Sequence, residues 1–352
     1  MSWKSVFGGF DEEAWAGHFQ AAQGLAQRGQ FSEAVEAMQR AIECASRPGG
    51  GEPLVETYVA LGHLQMQRSR FELAQQAYEQ GVEAARAVAG PQAQVVAGVM
   101  TFLANCHEEQ GQYERAAQIY RQAIGILEAR PSSEPLERLL RNTRANLASV
   151  LGNLGHGAEA LALNQRVVEA ERRGGDPGEL SVALWTRSTL ASRQGLHDEA
   201  VRAAREALEL AQRWLGADDP QVFQALHQYS NILVKAGRAQ EAIPLLEEGL
   251  QRFRASGTDE PIFEATWMES LADALLEAGS LDESERWYLQ CLAYFTRLHG
   301  PRHQNLISAV EGYCELLRRQ GREAELREQQ SRLEEIRAAL PPELAQRNAR
   351  RP

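Results

Sequence analysis

The sequence repeats one short turn at a period of about 42 residues. Successive turn residues are 40, 42, 44, 40, 42, 42 and 42 positions apart, and they are Gly29, Ser69, Gly111, Gly155, Gly195, Gly237, Gly279 and Gly321. Self-similarity at such a period is typical of chains that stack one supersecondary unit many times. Eight units account for nearly all of the 352 residues, so we expect one repeat array and no separate second domain.

Small residues recur at fixed distances from the turns. Five positions after the turn stand Ala34, Ala74, Ala116, Ala160, Ala200, Ala242 and Ser284, and seven before it stand Ala22, Gly62, Ala104, Ala148, Ser188, Ser230, Ala272 and Cys314. Two antiparallel helices can approach closely where both carry small side chains. Between these sites the apolar residues follow helical spacing, as in Leu147, Val150, Leu151 and Leu154. Each unit therefore predicts a helix, a turn and a second helix, with Leu326 a departure in the eighth unit.

The order of small residue, Gly turn and small residue resembles the tetratricopeptide repeat (TPR) over about residues 11–340. The period is longer than the usual 34 residues, and segments such as Leu298-His299-Gly300-Pro301 are similar to the kinesin light chain variety. The resemblance implies an all-α solenoid of about eight helix-turn-helix hairpins that form a right-handed superhelix. We expect an aromatic segment at 1–10, the solenoid at 11–340 and a basic tail at 341–352.

The resemblance also implies which residues face a partner. In the family, the first helix of each unit lines the concave groove, and the residues six and ten positions before the turn point into it. To this mapping we add Lys235, which is on the same predicted helix as His227 and Asn231. The candidate partner-binding residues are then Asn105, Trp185, His227, Asn231, Lys235, Glu269, Asp273, Glu311 and Glu315.

Two parts of this groove suggest different contacts. Trp185, His227, Asn231 and Lys235 offer an aromatic anchor beside amide and cationic donors, which suits an extended or helical segment. The acidic residues towards the C-terminal end, which also include Glu277, suit a basic segment. For both parts an ordinary solvated helix face is the alternative interpretation, and Trp185 can instead pack on its neighbour.

An aromatic segment precedes the first repeat. It contains Trp3, Phe7 and Phe10. The exposed end of a solenoid must be covered, so capping is one interpretation of these side chains. Docking in a groove and recruitment of another protein are the alternatives.

Charge and composition exclude several classes of function. A net charge of −11 and a pI near 5.4 argue against a sequence-independent grip on nucleic acid or on an anionic membrane. No stretch approaches 18 consecutive apolar residues, so no membrane insertion is expected. Four scattered cysteines indicate reduced thiols and the cytoplasm, and the preference for arginine over lysine suggests a bacterial genome.

Motifs for catalysis are absent from the sequence, which contains no HExxH, no phosphate-binding glycine loop and no GxSxG. We therefore expect no enzyme activity, no metal and no cofactor. The leading interpretation is a protein–protein interaction scaffold or adaptor that binds a partner peptide or helix, and self-association stays possible.

Two alternatives remain. The first is a bacterial regulatory sensor resembling Rap proteins, which binds a signalling peptide; repeats that begin by about residue 11 leave no room for the N-terminal bundle of that group. The second alternative is a regulatory subunit of an effector enzyme.

Overall fold

The structure is a computed structural model, and it describes residues 9–216, 219–257 and 260–340. The expected basic tail at 341–352 and residues 1–8 of the aromatic segment lie outside the described residues. The described residues form one short 3-10 helix, Gln304–Leu306, and sixteen α-helices with no strand. The α-helices are α1 Glu12–Gln27, α2 Phe31–Ala45, α3 Gly51–Gln67, α4 Phe71–Ala89, α5 Gln94–Glu109, α6 Tyr113–Glu128, α7 Glu134–Asn153, α8 Gly157–Arg172, α9 Pro177–Arg193, α10 His197–Leu215, α11 Pro220–Lys235, α12 Ala239–Ala255, α13 Pro261–Glu277, α14 Leu281–His299, α15 Ile307–Arg319 and α16 Glu323–Ala338.

The helices pair into eight hairpins at the predicted turns. All eight turn residues have a positive φ, between 54° and 83°, and Ser69 is the only one that is not glycine. After each turn residue, the next N–H donates to a carbonyl five positions earlier, as from Gln30 to Leu25 at 2.9 Å and from Arg322 to Leu317 at 3.0 Å. This bond and the left-handed residue define the Schellman motif, which ends a helix and reverses the chain. The all-α hairpin repeat that the sequence predicts is confirmed.

The predicted small residues lie where the helices touch. Ala34, Ala104 and Ala148 are fully buried, as are most of their equivalents in the other hairpins. At Gly62 the space is filled by a larger partner, because a Cβ added there would lie 2.4 Å from the Tyr78 ring. Small residues on one helix therefore accommodate a large side chain on the next, which keeps the core closely packed.

Local sequence also explains where several first helices begin. Pro177, Pro220 and Pro261 occupy the first helical position, where the missing N–H has no partner to lose. Asp176 and Asp219 cap two of these helices: the Asp176 side chain accepts from the N–H groups of Gly178 and Glu179, and the Asp219 side chain accepts from that of Gln221.

The chain divides into two compact units, residues 1–173 and 174–352. The first unit holds hairpins α1–α2 to α7–α8, and the second holds hairpins α9–α10 to α15–α16. Within each unit, the second helix of one hairpin packs on the first helix of the next. Each unit is thus held together by contacts between neighbours in sequence.

Candidate partner-binding surface

The candidate residues all lie on first helices of hairpins. Asn105 is on α5, in the first unit. The other eight belong to the second unit, with Trp185 on α9, three residues on α11, two on α13 and two on α15. On each of α11, α13 and α15 they are four residues apart, so they share one face of the helix. We call this face of α9, α11, α13 and α15 the first-helix surface.

His227 is held within this surface by its neighbours. Its Nε2 lies 2.8 Å from the Ser270 hydroxyl on α13, and its ring centroid is 5.1 Å from that of Trp267. Burial lowers the pKa of His227 to about 4, since an apolar setting disfavours the imidazolium. The side chain is therefore neutral near pH 7 and acts as a hydrogen-bonding group, not as a cation.

Three other residues of the aromatic and cationic part of the groove are more accessible to a ligand than His227. Trp185 and Asn231 are half-buried, and Lys235 is exposed at the end of α11. Within the described part of the chain, the side chains of Asn231 and Lys235 have no hydrogen-bond or ion-pair partner. Their amide and ammonium groups are thus free to meet a ligand.

Arginines of the last hairpin neutralise much of the acidic end. Arg319 lies 2.6 Å from Glu277 and 3.2 Å from Glu315. Glu315 also pairs with Arg318, and Glu311 pairs with Arg337. These pairs reduce the negative potential that the acidic residues alone would produce.

Glu269 and Asp273 have no cation beside them among the described residues. Ser308 donates a hydrogen bond to Glu269, and the Tyr288 hydroxyl donates one to Asp273. Burial raises the pKa of Glu269 to about 7, and the carboxylates of Asp273 and Glu311 add to this effect. Burial also raises the pKa of Asp273. The pair is a half-buried carboxyl site in which a cation supplied from outside would be stabilised.

In two hairpins a tyrosine on the second helix positions a candidate residue of the first helix, and the sequence patterns above did not predict this role. Nine residues after the turn, Tyr120 and Tyr288 reach back to the residue six before it. Tyr120 donates to Asn105 Oδ1 at 2.5 Å, and Tyr288 donates to Asp273. Asn105 Oδ1 also accepts from Asn146 Nδ2 at 3.0 Å. The signal was present, because both tyrosines stand at the same place in the repeat.

Hydrogen bonds also join successive first helices. The Trp15 Nε1 donates to Thr57 at 2.9 Å, and the hydroxyls of Thr101 and Thr143 are 3.1 Å apart. The His227 bond to Ser270 is of the same kind. These bonds stabilise the array, and the candidate residue His227 takes part in one of them.

Neither a metal centre nor a membrane segment emerges from the described residues. No three His, Cys, Asp or Glu side chains among them are grouped to bind a metal ion. In the same part of the chain, none of the helices has the length and apolar character needed to cross a bilayer.

Solved structures share this fold at low sequence identity. The apo form of the quorum sensor NprR from B. thuringiensis is 13% identical with a TM-score of 0.65, over 91% of this chain and 86% of that one. The apo form of RapI is 13% identical with a TM-score of 0.59, over 81% and 98%. A putative kinesin light chain from P. anserina with TPR-like repeats is 19% identical with a TM-score of 0.52, over 57% and 95%.

Besides the fold, the sequence itself matches models of protein families. No curated protein matches it. Models described as tetratricopeptide repeat match residues 53–129, 179–255 and 265–305, which together make up more than half of the chain. With these matches and a Schellman turn in each hairpin, this chain belongs to the tetratricopeptide repeat family.

Proposed function

We propose that the chain is a non-catalytic scaffold or adaptor that binds a peptide or helix of a partner protein on the first-helix surface of its second unit. The observation that carries this proposal is the set of groups on that surface that lack a side-chain partner or a countercharge. Asn231 and Lys235 have no partner among the described residues, and Glu269 and Asp273 have no cation there. Tetratricopeptide repeats generally serve as interaction scaffolds and not as enzymes.

The chemistry of the first-helix surface indicates what kind of segment it would bind. Trp185 offers an apolar, half-buried side chain, and Asn231 can pair with a backbone amide. An arginine or lysine of the partner would face Glu269 and Asp273, while an acidic group would face Lys235. A segment with an apolar end, followed by an acidic and then a basic residue, fits this order along α9, α11 and α13.

A sensor of short peptides is the second candidate. It is favoured by the similarity to NprR, which is a quorum sensor, over 91% of this chain. The same groups would then bind a free signalling peptide in the cytoplasm of a bacterium, and not a segment of a larger protein.

Affinity capture from the native lysate, with identification by mass spectrometry, tests the proposal. The variant pair Trp185→Ala with Asn231→Ala removes the apolar anchor and the amide. Trp214→Ala with Gln251→Ala is the matched control, since Trp214 is 60% exposed and both residues lie on second helices. Helix content is checked for both by circular dichroism.

We expect a specific protein to be captured by the wild type and by the control, and to be lost with the first variant. Undiminished capture by the first variant would place the binding site elsewhere and contradict the proposal. If the wild type captures no protein but carries a bound peptide that the first variant lacks, the sensor candidate is correct instead.

A further inference from the structure

An apolar cavity opens in the first unit. It has a volume of about 630 Å³ and lies between α3, α4 and α5, with α7 at one side. Val88 and Val95 in its wall are 45% and 41% exposed. The main apolar side chains that line it are Val55, Val59, Val88, Val95, Phe102 and Leu139.

The cavity has room for large side chains. Gly98 on α5 lines it, and a Cβ added there would meet only Leu139 Cδ2, at 3.8 Å. A volume of this size falls within the range of sites that bind compact apolar ligands. Exposed valines around such a space are unfavourable in water, so burial by an apolar group would be stabilising.

Two carboxylates lie at the edge of the cavity. Glu52 and Glu56 are one helical turn apart on α3, and both are exposed. Neither forms an ion pair or a side-chain hydrogen bond in the described part of the chain. An occupant with a positive charge next to its apolar side chains would therefore be favoured.

The start of the described chain lies beside this cavity. The Phe10 N–H donates to the Pro48 carbonyl at 3.1 Å, and the Phe10 ring packs on Gly50, where it would be 2.8 Å from an added Cβ. The next residue, Gly51, touches the cavity wall, because a Cβ on it would be 2.5 Å from Val88 Cγ2. The chain that precedes Phe10 is thus anchored one residue from the cavity.

The preceding residues have the chemistry that the cavity requires. Residues 1–8, which lie outside the described residues, read MSWKSVFG and contain two aromatic residues, a valine and a lysine. Lys4 is one of only two lysines in the chain, the other being Lys235. Eight residues extend up to about 28 Å, which is ample to reach from Phe10 into the cavity.

We propose that the N-terminal segment, residues 1–8, binds in this cavity of its own chain, with Trp3 and Phe7 against the apolar wall and Lys4 beside Glu52 and Glu56. The inference does not depend on the function proposed for the second unit. Covalent attachment gives the segment an effective concentration of about 1 mM, so even a weak site is occupied. A ligand of the first unit that uses the cavity must displace the segment.

A lysine-specific endoprotease tests the proposal on the full chain, because it can cut at only two positions. Cleavage after Lys4 releases the tetrapeptide MSWK, and intact mass spectrometry measures its rate of loss. Gly98→Leu fills the cavity and also favours helix, so it should fold at least as well as the wild type. Gly125→Leu is the matched control, since an added Cβ there meets nothing within 4 Å and α6 does not line the cavity.

We expect cleavage after Lys4 to be about tenfold faster in Gly98→Leu than in the wild type and in Gly125→Leu. The synthetic peptide MSWRSVFG, which the protease does not cut, should also accelerate cleavage of the wild type after Lys4, because it competes with the N-terminal segment for the cavity. Equal rates in all three proteins would overturn the proposal. Protection that rises with protein concentration would also overturn it, since the segment would then occupy the cavity of a second copy.

Discussion

Glu269 and His227 show how burial, as the main cause, shifts the pKa values of two residues on neighbouring helices in opposite directions. Burial raises the pKa of Glu269 to about 7 and lowers that of His227 to about 4, because in each case it disfavours the charged form. Both groups are consequently neutral over part of the range in which their exposed forms would be charged. The first-helix surface is therefore less charged near neutral pH than its sequence indicates.

The raised pKa of Glu269 predicts a pH-dependent stability. The unfolded carboxyl ionises near its usual value, whereas the folded one remains protonated to about pH 7, so the folded state binds the additional proton between these limits. This contribution to the free energy of unfolding is complete below the unfolded pKa and is lost as the pH rises through about 7. Glu269→Gln should therefore raise the melting temperature at pH 8 by about 2–4 °C, and much less at pH 5.

Thermal unfolding of Glu269→Gln at the two pH values checks this prediction. Glu209→Gln is the control, because Glu209 on α10 is exposed, pairs with Arg213 and does not act on Glu269. A melting temperature of Glu269→Gln that differs from the wild type equally at pH 5 and pH 8 would show that Glu269 ionises normally.

At the scale of helices, the two helices of a hairpin pack closely where the first helix carries a small residue. In the hairpin α3–α4, Gly62 makes room for Tyr78, which is only 2% exposed. In the next hairpin the same place holds Ala104, which is fully buried. The repeat therefore accepts either residue, although both hairpins carry a buried tyrosine nine positions after the turn, Tyr78 and Tyr120.

Gly62→Ala and Gly17→Ala should have opposite effects. An added Cβ at Gly62 would lie 2.4 Å from the Tyr78 ring, so we expect a loss of about 1–3 kcal/mol from overpacking, partly offset by better helix propensity. An added Cβ at Gly17 on α1 meets nothing within 4 Å, so Gly17→Ala should gain up to about 1 kcal/mol. Urea unfolding measures both, and equal changes in the two variants would refute the packing argument.

The hairpins were predictable from the sequence, and most side-chain partners were not. Turns such as Gly29 and buried alanines such as Ala34 follow from local backbone and packing requirements that recur in every unit. The partners of the candidate residues depend on the neighbouring hairpin, so position relative to the turn did not reveal them. Arg319, which pairs with Glu277, stands 42 residues after it, and comparison of charges at one period would have found the pair.

On the scale of the whole molecule, stability is distributed unevenly within a unit. In the second unit, α13 buries nine residues, whereas α16 buries only Leu326, Leu333 and Ile336. The ion pairs of α16, such as Arg337 with Glu311, are largely exposed and contribute little. In a repeat array each helix depends on its neighbours, so a sparsely packed helix unfolds locally first.

Hydrogen exchange measured by mass spectrometry should show this difference. We expect amides of α16 to exchange at least about tenfold faster than those of α13 under native conditions. A substitution that adds buried apolar surface between α15 and α16 should bring the two exchange rates closer together. Arg337→Ala should leave their ratio nearly unchanged. Equal protection of α13 and α16 would mean that burial does not determine local stability here.

The bonds between successive first helices restrict how a gene for such a protein can be rearranged. Trp15 pairs with Thr57, Thr101 with Thr143, and His227 with Ser270, so each of these three junctions has its own donor and acceptor. Exchanging two hairpins would preserve every turn and every small residue. It would nevertheless place noncomplementary side chains opposite each other and leave polar groups without partners. The hairpins are alike in backbone but not interchangeable, and their order is part of what the sequence encodes.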